Sequence, residues 1–254
     1  MIHSTAIIEP SAKLGANVSV GPWSYIGADV EIGDDCVIGP HVVMRGPTKM
    51  GKGNQVFQFS SIGEDCQDKK YAGEPTQLVI GDNNVFRECT TVHRGTVQDQ
   101  SLTKIGNDNL FMAYVHVAHD CMIGDHNILA NATTLAGHVH VGDHVILGGF
   151  TGVHQFCKIG SHAFTAVSSV VVQDVPPYVM AQGHNAVPRT INSEGLRRRG
   201  FSAEQITTVK RAYKLLYRQG LTLNDALQKM RELGAQELEP LISFIEQSQR
   251  GIIR

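Results

Sequence analysis

No apolar run in the sequence approaches the roughly 18 residues that a membrane span needs. The first residues, MIHSTAIIEPSAK, lack a basic stretch followed by an apolar one, so no secretory signal is read there and a cytoplasmic protein is expected. Neither sign of charge dominates. The 22 Lys and Arg face 24 Asp and Glu, a net charge of −2, which gives no global attraction to nucleic acid or an anionic membrane. Aromatic residues are scarce at 6%, and the five cysteines (36, 66, 89, 121, 157) form no CxxC pair. Glycine, by contrast, is abundant at 26 residues, which suits a turn-rich fold of small and aliphatic side chains better than a helical bundle.

The sequence has a period of six. From Ile8 it divides into IEPSAK, LGANVS, VGPWSY, IGADVE and so on to IGEDCQ at 62, resumes at IGDNNV (80), and resumes again from IGNDNL (105) to VVQDVP (171). Of the 25 hexads, all but one (Thr165) begin with an apolar residue, and 13 have Gly second. The fifth position is small or β-branched except at Asn54, Asn84, Asn109 and Asn127. A period of six matches neither a helix nor a long alternating strand. It matches short strands joined by turns, three to a coil, with first and fifth residues inward and coils stacked about 4.8 Å apart. Gly in the second position is expected to serve turns that need positive φ. Cys36, Cys66, Cys121 and Cys157 occupy the inward fifth slot and read as reduced packing residues.

This pattern resembles the hexapeptide-repeat acyltransferases over residues 1–190 or so. The resemblance implies a left-handed parallel β-helix, a handedness that the general crossover preference would not have given. The expected fold is thus an all-β solenoid of hexapeptide repeats over 1–190, with a C-terminal α-helical subdomain over 191–254.

Three hexads make a coil, so hexads 62, 92, 117, 135 and 153 share one face. That face carries His93, His119, Asp120, Gly137, His138, His154 and Gln155, with His116 at the adjoining corner. Two insertions, 68–79 (DKKYAGEPTQLV) and 98–104 (QDQSLTK), leave from the same corner on adjacent coils. Loops carry function more often than scaffold does. His119, third in its hexad, points outward. Its spacing alone leaves surface decoration, metal ligand and catalytic base open. A neutral imidazole suits proton abstraction near neutral pH, and the adjacent Asp120 can fix its tautomer. Attack of a hydroxyl on a thioester also needs an oxyanion donor, for which the Gly137 N–H, one coil beyond His119, is unobstructed. His140 and His144 lie off the column and receive no role.

The ordered set YAGEPT (71–76), HRGT (93–96), AHDC (118–121), LAGHV (135–139), VHQFC (153–157) and DVPPY (174–178) narrows the resemblance to the UDP-N-acetylglucosamine O-acyltransferase family of lipid A synthesis. The resemblance implies transfer of an (R)-3-hydroxyacyl group from acyl carrier protein to the sugar 3-hydroxyl. His119 would be the base, Asp120 its orienting partner and Gly137 N–H the carbonyl donor. Asp68, Lys70, His93, His116, His138, His154 and Gln155 would line the substrate site. No metal or resident cofactor takes part; the donor brings a phosphopantetheine thioester. The site would lie between prisms of a homotrimer, and no covalent acyl-enzyme is needed. Val167 falls at the family's acyl-length ruler. Valine is intermediate in size, and each CH₂ excluded from the groove forfeits about 0.8 kcal/mol.

After DVPPY the hexads stop, and VPPYVMAQGHNAVPR reads as a rigid extended connector. Helices are then expected after Ser202 (with Gln205, ending at Gly220), after Thr222 (with Asp225, ending at Gly234) and over 238–249. NSEGLRRRG (192–200) holds Asn192 and Glu194, which the resemblance places beside uracil, and Arg198 and Arg199, placed on phosphate; carrier docking is the alternative for the arginines. His184 precedes Asn185, the reverse of the expected family order, so no role is given to it.

Three rivals remain. An N-acyltransferase of the same pathway would be expected to carry an extra N-terminal domain, whereas the hexads here start at residue 8. A zinc hydratase on the same prism would show His–x4–His, whereas HVAHD has two intervening residues. A non-catalytic or ice-binding prism would show a flat Thr-rich face.

Overall fold

The computed structural model describes residues 1–254. Strands of mostly two residues recur three to a coil and stack into three sheets of nine, eight and ten strands. Here they are called sheets 1, 2 and 3, starting at Ile7–Ile8, Lys13–Leu14 and Ser19–Val20. The pairing is parallel and in the register of the hexads: Ile128 faces Ile146 and Leu129 faces Leu147, one coil apart. The chain thus forms the parallel β-helix expected of the hexads, with the left hand that the family resemblance implied. First-position side chains such as Ile26, Met44, Phe86, Phe111 and Leu135 are fully buried along the prism axis. No helix is long and apolar enough to cross a membrane.

The glycines of the second position act differently from the expectation. Positive φ falls instead on the fourth residue of the hexads, at Asn17, Trp23, Asp29, Asp35 and onward to Ser168. The second-position glycines are there for clearance. A Cβ built on Gly33 would lie 2.7 Å from the Gly51 carbonyl carbon, and one on Gly21 would lie 2.7 Å from that of Gly39. At these glycines the next coil comes too close to leave room for a side chain.

The four asparagines that break the fifth-position rule stack at one edge, between sheets 2 and 3, and are buried. Asn84 Nδ2 donates to Asn54 Oδ1 at 3.0 Å, and Asn109 Nδ2 to Asn84 Oδ1 at 2.9 Å. The backbone N–H groups of Asn127 and Val145 continue the ladder, donating to Asn109 Oδ1 (2.8 Å) and Asn127 Oδ1 (2.7 Å). Buried amides are tolerable where they find partners up and down the column, as Asn54, Asn84 and Asn109 do; at the column's end the Asn127 Nδ2 has none. Asn84→Ala strands the Asn109 amide groups and the Gly106 carbonyl. It is expected to cost about 2–3 kcal/mol, read as a lower denaturant midpoint at unchanged slope.

The edge between sheets 3 and 1 is apolar and open. Trp23, Phe59, Tyr114 and Phe150 recur along it in the fourth position, each 61–67% exposed, beside Val167 at 67%.

The segment after DVPPY is a hairpin, not a free extended connector. Strand Val179–Gln182 joins sheet 3 beside Phe164–Thr165 and pairs antiparallel with Val187–Ile191. The proline-rich sequence is compatible with this because the hairpin forms the last strand of its sheet, where a missing N–H is harmless. Four helices follow: α1 (Ser193–Arg198), α2 (Ala203–Tyr217), α3 (Leu223–Glu232) and α4 (Glu239–Glu246). Ser202 and Gln205 form the expected capping box of α2, and Thr222 accepts from the Asp225 N–H to cap α3. The last helix is shorter than 238–249. A 3₁₀ turn, Gln236–Leu238, precedes it, and the chain beyond Glu246 returns to the prism, where Ile253 N–H donates to the Asp174 carbonyl at 2.9 Å. One apolar cluster runs through prism and helices, from Val18 to Ile253.

Candidate active site

The edge between sheets 1 and 2 gathers most of the residues singled out in the sequence. Strands Thr91–His93, His116–Val117, Thr134–Leu135 and Gly152–Val153 are successive neighbours in sheet 1. His93 ends the first of these strands, and the turns after the others carry His119 with Asp120, Gly137 with His138, and His154 with Gln155. Both insertions leave from this edge, between sheet 1 and sheet 2 strands.

His119 Nδ1 lies 2.9 Å from Asp120 Oδ2, and the His119 side chain is 14% exposed while Asp120 is fully buried. Asp120 also accepts from Thr96 N–H, at 2.9 and 3.1 Å to its two oxygens, and from Thr96 Oγ1 at 2.6 Å. Burial works against the charged carboxyl, yet these hydrogen bonds from His119 and Thr96 outweigh it and hold Asp120 below the usual carboxylate range. An ionised carboxylate can only accept, so His119 carries its proton on Nδ1 and turns a bare Nε2 outward. The Asp120 N–H donates to Thr103 Oγ1 at 2.8 Å. Thr96 and Thr103, at the two roots of the second insertion, therefore hold Asp120 from both ends, Thr96 at its carboxylate and Thr103 at its amide. Thr103 was not legible because the insertion has no period to read, and Thr96 read only as an inward fifth-position residue of its hexad.

Gly137 passes over the His119 ring. A Cβ there would lie 2.6 Å from His119 Nε2. Its N–H has no acceptor within the chain, while its carbonyl accepts from Phe156 N–H at 3.1 Å. Along the opposite edge of sheet 2, amides at the same hexad position are capped by side chains, as when Asn107 N–H donates to Asp125 Oδ1 at 2.6 Å. Beside His119 they stay open.

His93 and His116 pack edge to face, ring centres 5.1 Å apart. Burial and the charge of His116 and His119 pull His93 down to about 4, and burial, then the charge of His119, lowers His116. Both are neutral near pH 7. His116 Nδ1 is 2.7 Å from Thr91 Oγ1. His138 packs at right angles to His119, ring centres 5.0 Å apart. Arg250 Nη2 lies 3.3 Å from His154 Nδ1. The thiols nearby are inert: burial pushes Cys121 up to about 12 and Cys157 to about 11.

Asp68 and Lys70 sit in the first insertion at the same edge. Their contacts are local: Lys70 N–H donates to Asp68 Oδ1 at 3.0 Å. Arg94, overlooked in the sequence, fastens this loop. It is buried, donates to the Gly63 carbonyl and to Tyr71 Oη, and pairs with Asp65.

The other expected residues lie elsewhere on the prism. Asn192, Glu194, Arg198 and Arg199 line a concavity of about 340 Å³ with Ile128, Ile146 and Phe164 of sheet 3, and with His144 and His162 at the edge between sheets 2 and 3. Val167 is on the edge between sheets 3 and 1. Within one chain, the body of the prism separates all five from His119. Asn192 Oδ1 also accepts from Gly195 N–H to cap α1, and Glu194 pairs with Arg197 and Arg198.

His119, Asp120 and His138 offer three ligand atoms within 4.8 Å of one another. Both histidines already direct Nδ1 at carboxylates, His119 at Asp120 and His138 at Asp99.

Comparison with known proteins agrees with this geometry. Residues 174–253 match the model described as UDP N-acetylglucosamine O-acyltransferase, domain 2, and residues 11–46 and 102–137 match the bacterial transferase hexapeptide (six repeats) model. The chain is 54% identical to the acyl-[acyl-carrier-protein]–UDP-N-acetylglucosamine O-acyltransferase of Saccharophagus degradans, covering 100% of this chain and 99% of that one. The solved structure of LpxA from Acinetobacter baumannii superposes with a TM-score of 0.97 at 51% identity, covering 100% and 99% of the two chains. The Francisella novicida UDP-N-acetylglucosamine acyltransferase gives 0.97 at 45% identity, covering 100% and 94%. With likeness of this extent along its whole length, the chain belongs to the UDP-N-acetylglucosamine O-acyltransferase family of hexapeptide-repeat acyltransferases.

Proposed function

We propose that the chain transfers a 3-hydroxyacyl group from acyl carrier protein to the 3-hydroxyl of UDP-N-acetylglucosamine, the first step of lipid A synthesis, in the cytoplasm. The observation that carries the mechanism is the Asp120–His119 pair, with bare Nε2, beneath an unpaired Gly137 N–H. His119 Nε2 takes the proton of the sugar 3-hydroxyl as its oxygen attacks the thioester carbonyl carbon. Asp120 stabilises the imidazolium that forms. The Gly137 N–H donates to the carbonyl oxygen as it becomes an oxyanion. Collapse restores the carbonyl, breaks the C–S bond and expels the phosphopantetheine thiolate, which recovers the proton from His119. No side chain is acylated; the raised Cys121 and Cys157 thiols support a direct transfer.

His93, His116, His138, His154, Gln155, Asp68 and Lys70 serve as binding groups around the base. The mechanism calls on no metal, since His119 and the Gly137 N–H supply the base and the carbonyl donor, and metal analysis of active protein should find none in stoichiometric amount.

The active protein is a homotrimer with sites shared between neighbours. Two features support this. The uracil and phosphate candidates (Asn192, Glu194, Arg198, Arg199) and the ruler Val167 stand on the far side of the prism from His119. The aromatic edge of Trp23, Phe59, Tyr114 and Phe150 is an exposed apolar strip of the kind that self-association covers. Co-expression tests the shared site. His119→Ala and Arg198→Ala/Arg199→Ala chains, each poorly active alone, should together recover roughly a quarter of wild-type turnover by random assortment in a cyclic oligomer. A mixture no more active than its parents would place the whole site on one chain.

Val167 sets the acyl length from the neighbouring chain. Val167→Gly should move the preferred acyl group toward longer chains in a competition among carrier proteins. An unchanged profile would place the ruler elsewhere.

A further inference from the structure

The second insertion is fastened at its tip as well as at its roots. Asp99 reaches back across the edge, and its Oδ2 lies 2.9 Å from His138 Nδ1. The His138 side chain is only 10% exposed. Phe156 lies parallel to its ring with centres 4.3 Å apart, and His119 lies perpendicular to it. The ring therefore cannot turn freely. His140, Lys158 and Arg250 share a concavity of about 400 Å³ with Asp99 and His138, and none of them pairs with Asp99. The carboxylate is spent on the one imidazole that faces the base. The other carboxylate near His138 Nδ1, Asp120 Oδ2, is 3.9 Å away and already holds His119 and Thr96.

We propose that Asp99 is a positioning residue: by holding the His138 proton on Nδ1, it presents Nε2 as an acceptor for a substrate hydroxyl. A neutral imidazole has one donor and one acceptor nitrogen, so fixing one fixes the other. Without Asp99 the ring could carry its proton on Nε2. The atom facing the substrate would then donate, and a hydroxyl that needs an acceptor would lose its partner. This inference rests on the reading of the edge as the acyl-transfer site. Two hydroxyls could be the ligand, one on the sugar nucleotide and one on C3 of the acyl chain. Neither would be the reacting hydroxyl, which belongs to His119. The contact is then equal in ground and transition states, so its loss should appear in KM and spare kcat.

The test uses Asp99→Ala and Asp99→Asn in the full-length protein, with two independent readouts. The first is the ¹⁵N spectrum of the His138 ring, assigned with His138→Gln. Wild type should show the Nδ1–H form, and Asp99→Ala should lose it. The second is steady-state kinetics. Asp99→Ala should raise KM roughly tenfold for the hydroxyl-bearing substrate with kcat nearly unchanged, as expected for one lost hydrogen bond. Asp99→Asn, whose side-chain oxygen still accepts, should restore most of the loss. Carriers with and without the 3-hydroxyl separate the sources. If the acyl hydroxyl is the ligand, Asp99→Ala lowers the preference for hydroxyacyl over plain acyl carriers. If the sugar hydroxyl is, that preference persists and the sugar nucleotide KM rises.

An Nδ1–H form retained in Asp99→Ala would overturn the proposal. So would equal losses of kcat in both variants, which would mark a loop that only scaffolds. Should Asp99→Ala fail to fold, the Asp99→Asn ring spectrum decides, because retention of the Nδ1–H form is expected there. The ring spectrum does not depend on turnover. A His119→Ala enzyme that still worked would remove the base and leave the tautomer result standing.

Discussion

His119→Ala is expected to lower kcat about a thousandfold, the usual range for removing a positioned general base. The sugar hydroxyl is a weak nucleophile while it keeps its proton, and no second group at this edge is arranged to take it. His138 presents the nearest alternative imidazole, but its carboxylate is Asp99, at the tip of a loop, and its ring stands at right angles to that of His119. His93 is buried and His116 half-buried, each held toward its neutral form. The substitution leaves Asp120 buried and still bonded to Thr96, so the prism should fold with a near-normal thermal midpoint. Coupled release of free carrier thiol, measured with UDP-N-acetylglucosamine and a hydroxyacyl carrier protein, reads the effect. Retained turnover would remove His119 from its role.

Gly137→Ala should cost about a hundredfold in kcat, comparable to the loss of one oxyanion donor. The added methyl would meet His119 Cε1 at 2.5 Å and Nε2 at 2.6 Å. The backbone cannot retreat: the Gly137 carbonyl accepts from Phe156, the Ala136 N–H donates to the Val153 carbonyl, and the His138 N–H donates to that of His119. The ring must therefore swing, breaking its bond to Asp120 and covering the approach to the amide. Equilibrium binding of the sugar nucleotide should change far less than kcat, because the methyl disturbs the reacting centre and not the remote phosphate groups. A variant with normal kcat would show that the carbonyl is polarised elsewhere.

The lattice of the prism was open to reading because it is periodic. Once Ile62, Val92, Val117, Leu135 and Val153 fell on one face, His93, His119, Gly137, His138 and His154 followed, and the parallel register bears this out. The insertions have no period. Asp99 and Thr103 reach His138 and Asp120 through loop paths that only coordinates reveal, while Thr96 and Arg94 hid as ordinary fifth- and third-position residues of a hexad. The glycines were correctly seen as special but for the wrong cause: repeat spacing shows that a side chain is absent, not whether φ or a neighbouring coil forbids it. The proline-rich stretch after DVPPY carried no sign that its two halves pair. The final helix looked longer than it is because the tail's return to Asp174 is a long-range pairing.

The asparagine column has an implication for how such enzymes can be altered. Asn54, Asn84 and Asn109 belong to successive coils, and the chain departs into an insertion between Asn54 and Asn84 and again between Asn84 and Asn109. Each excursion is thus re-anchored on its return by an amide handshake at the far edge of sheet 2. What the excursion contains is of little concern to the alignment of the next turn. Such a shaft can exchange the outer reaches of its loops like tool heads on a common shank, so new acceptors or donors can be tried there while Thr96 and Thr103 keep their hold on Asp120.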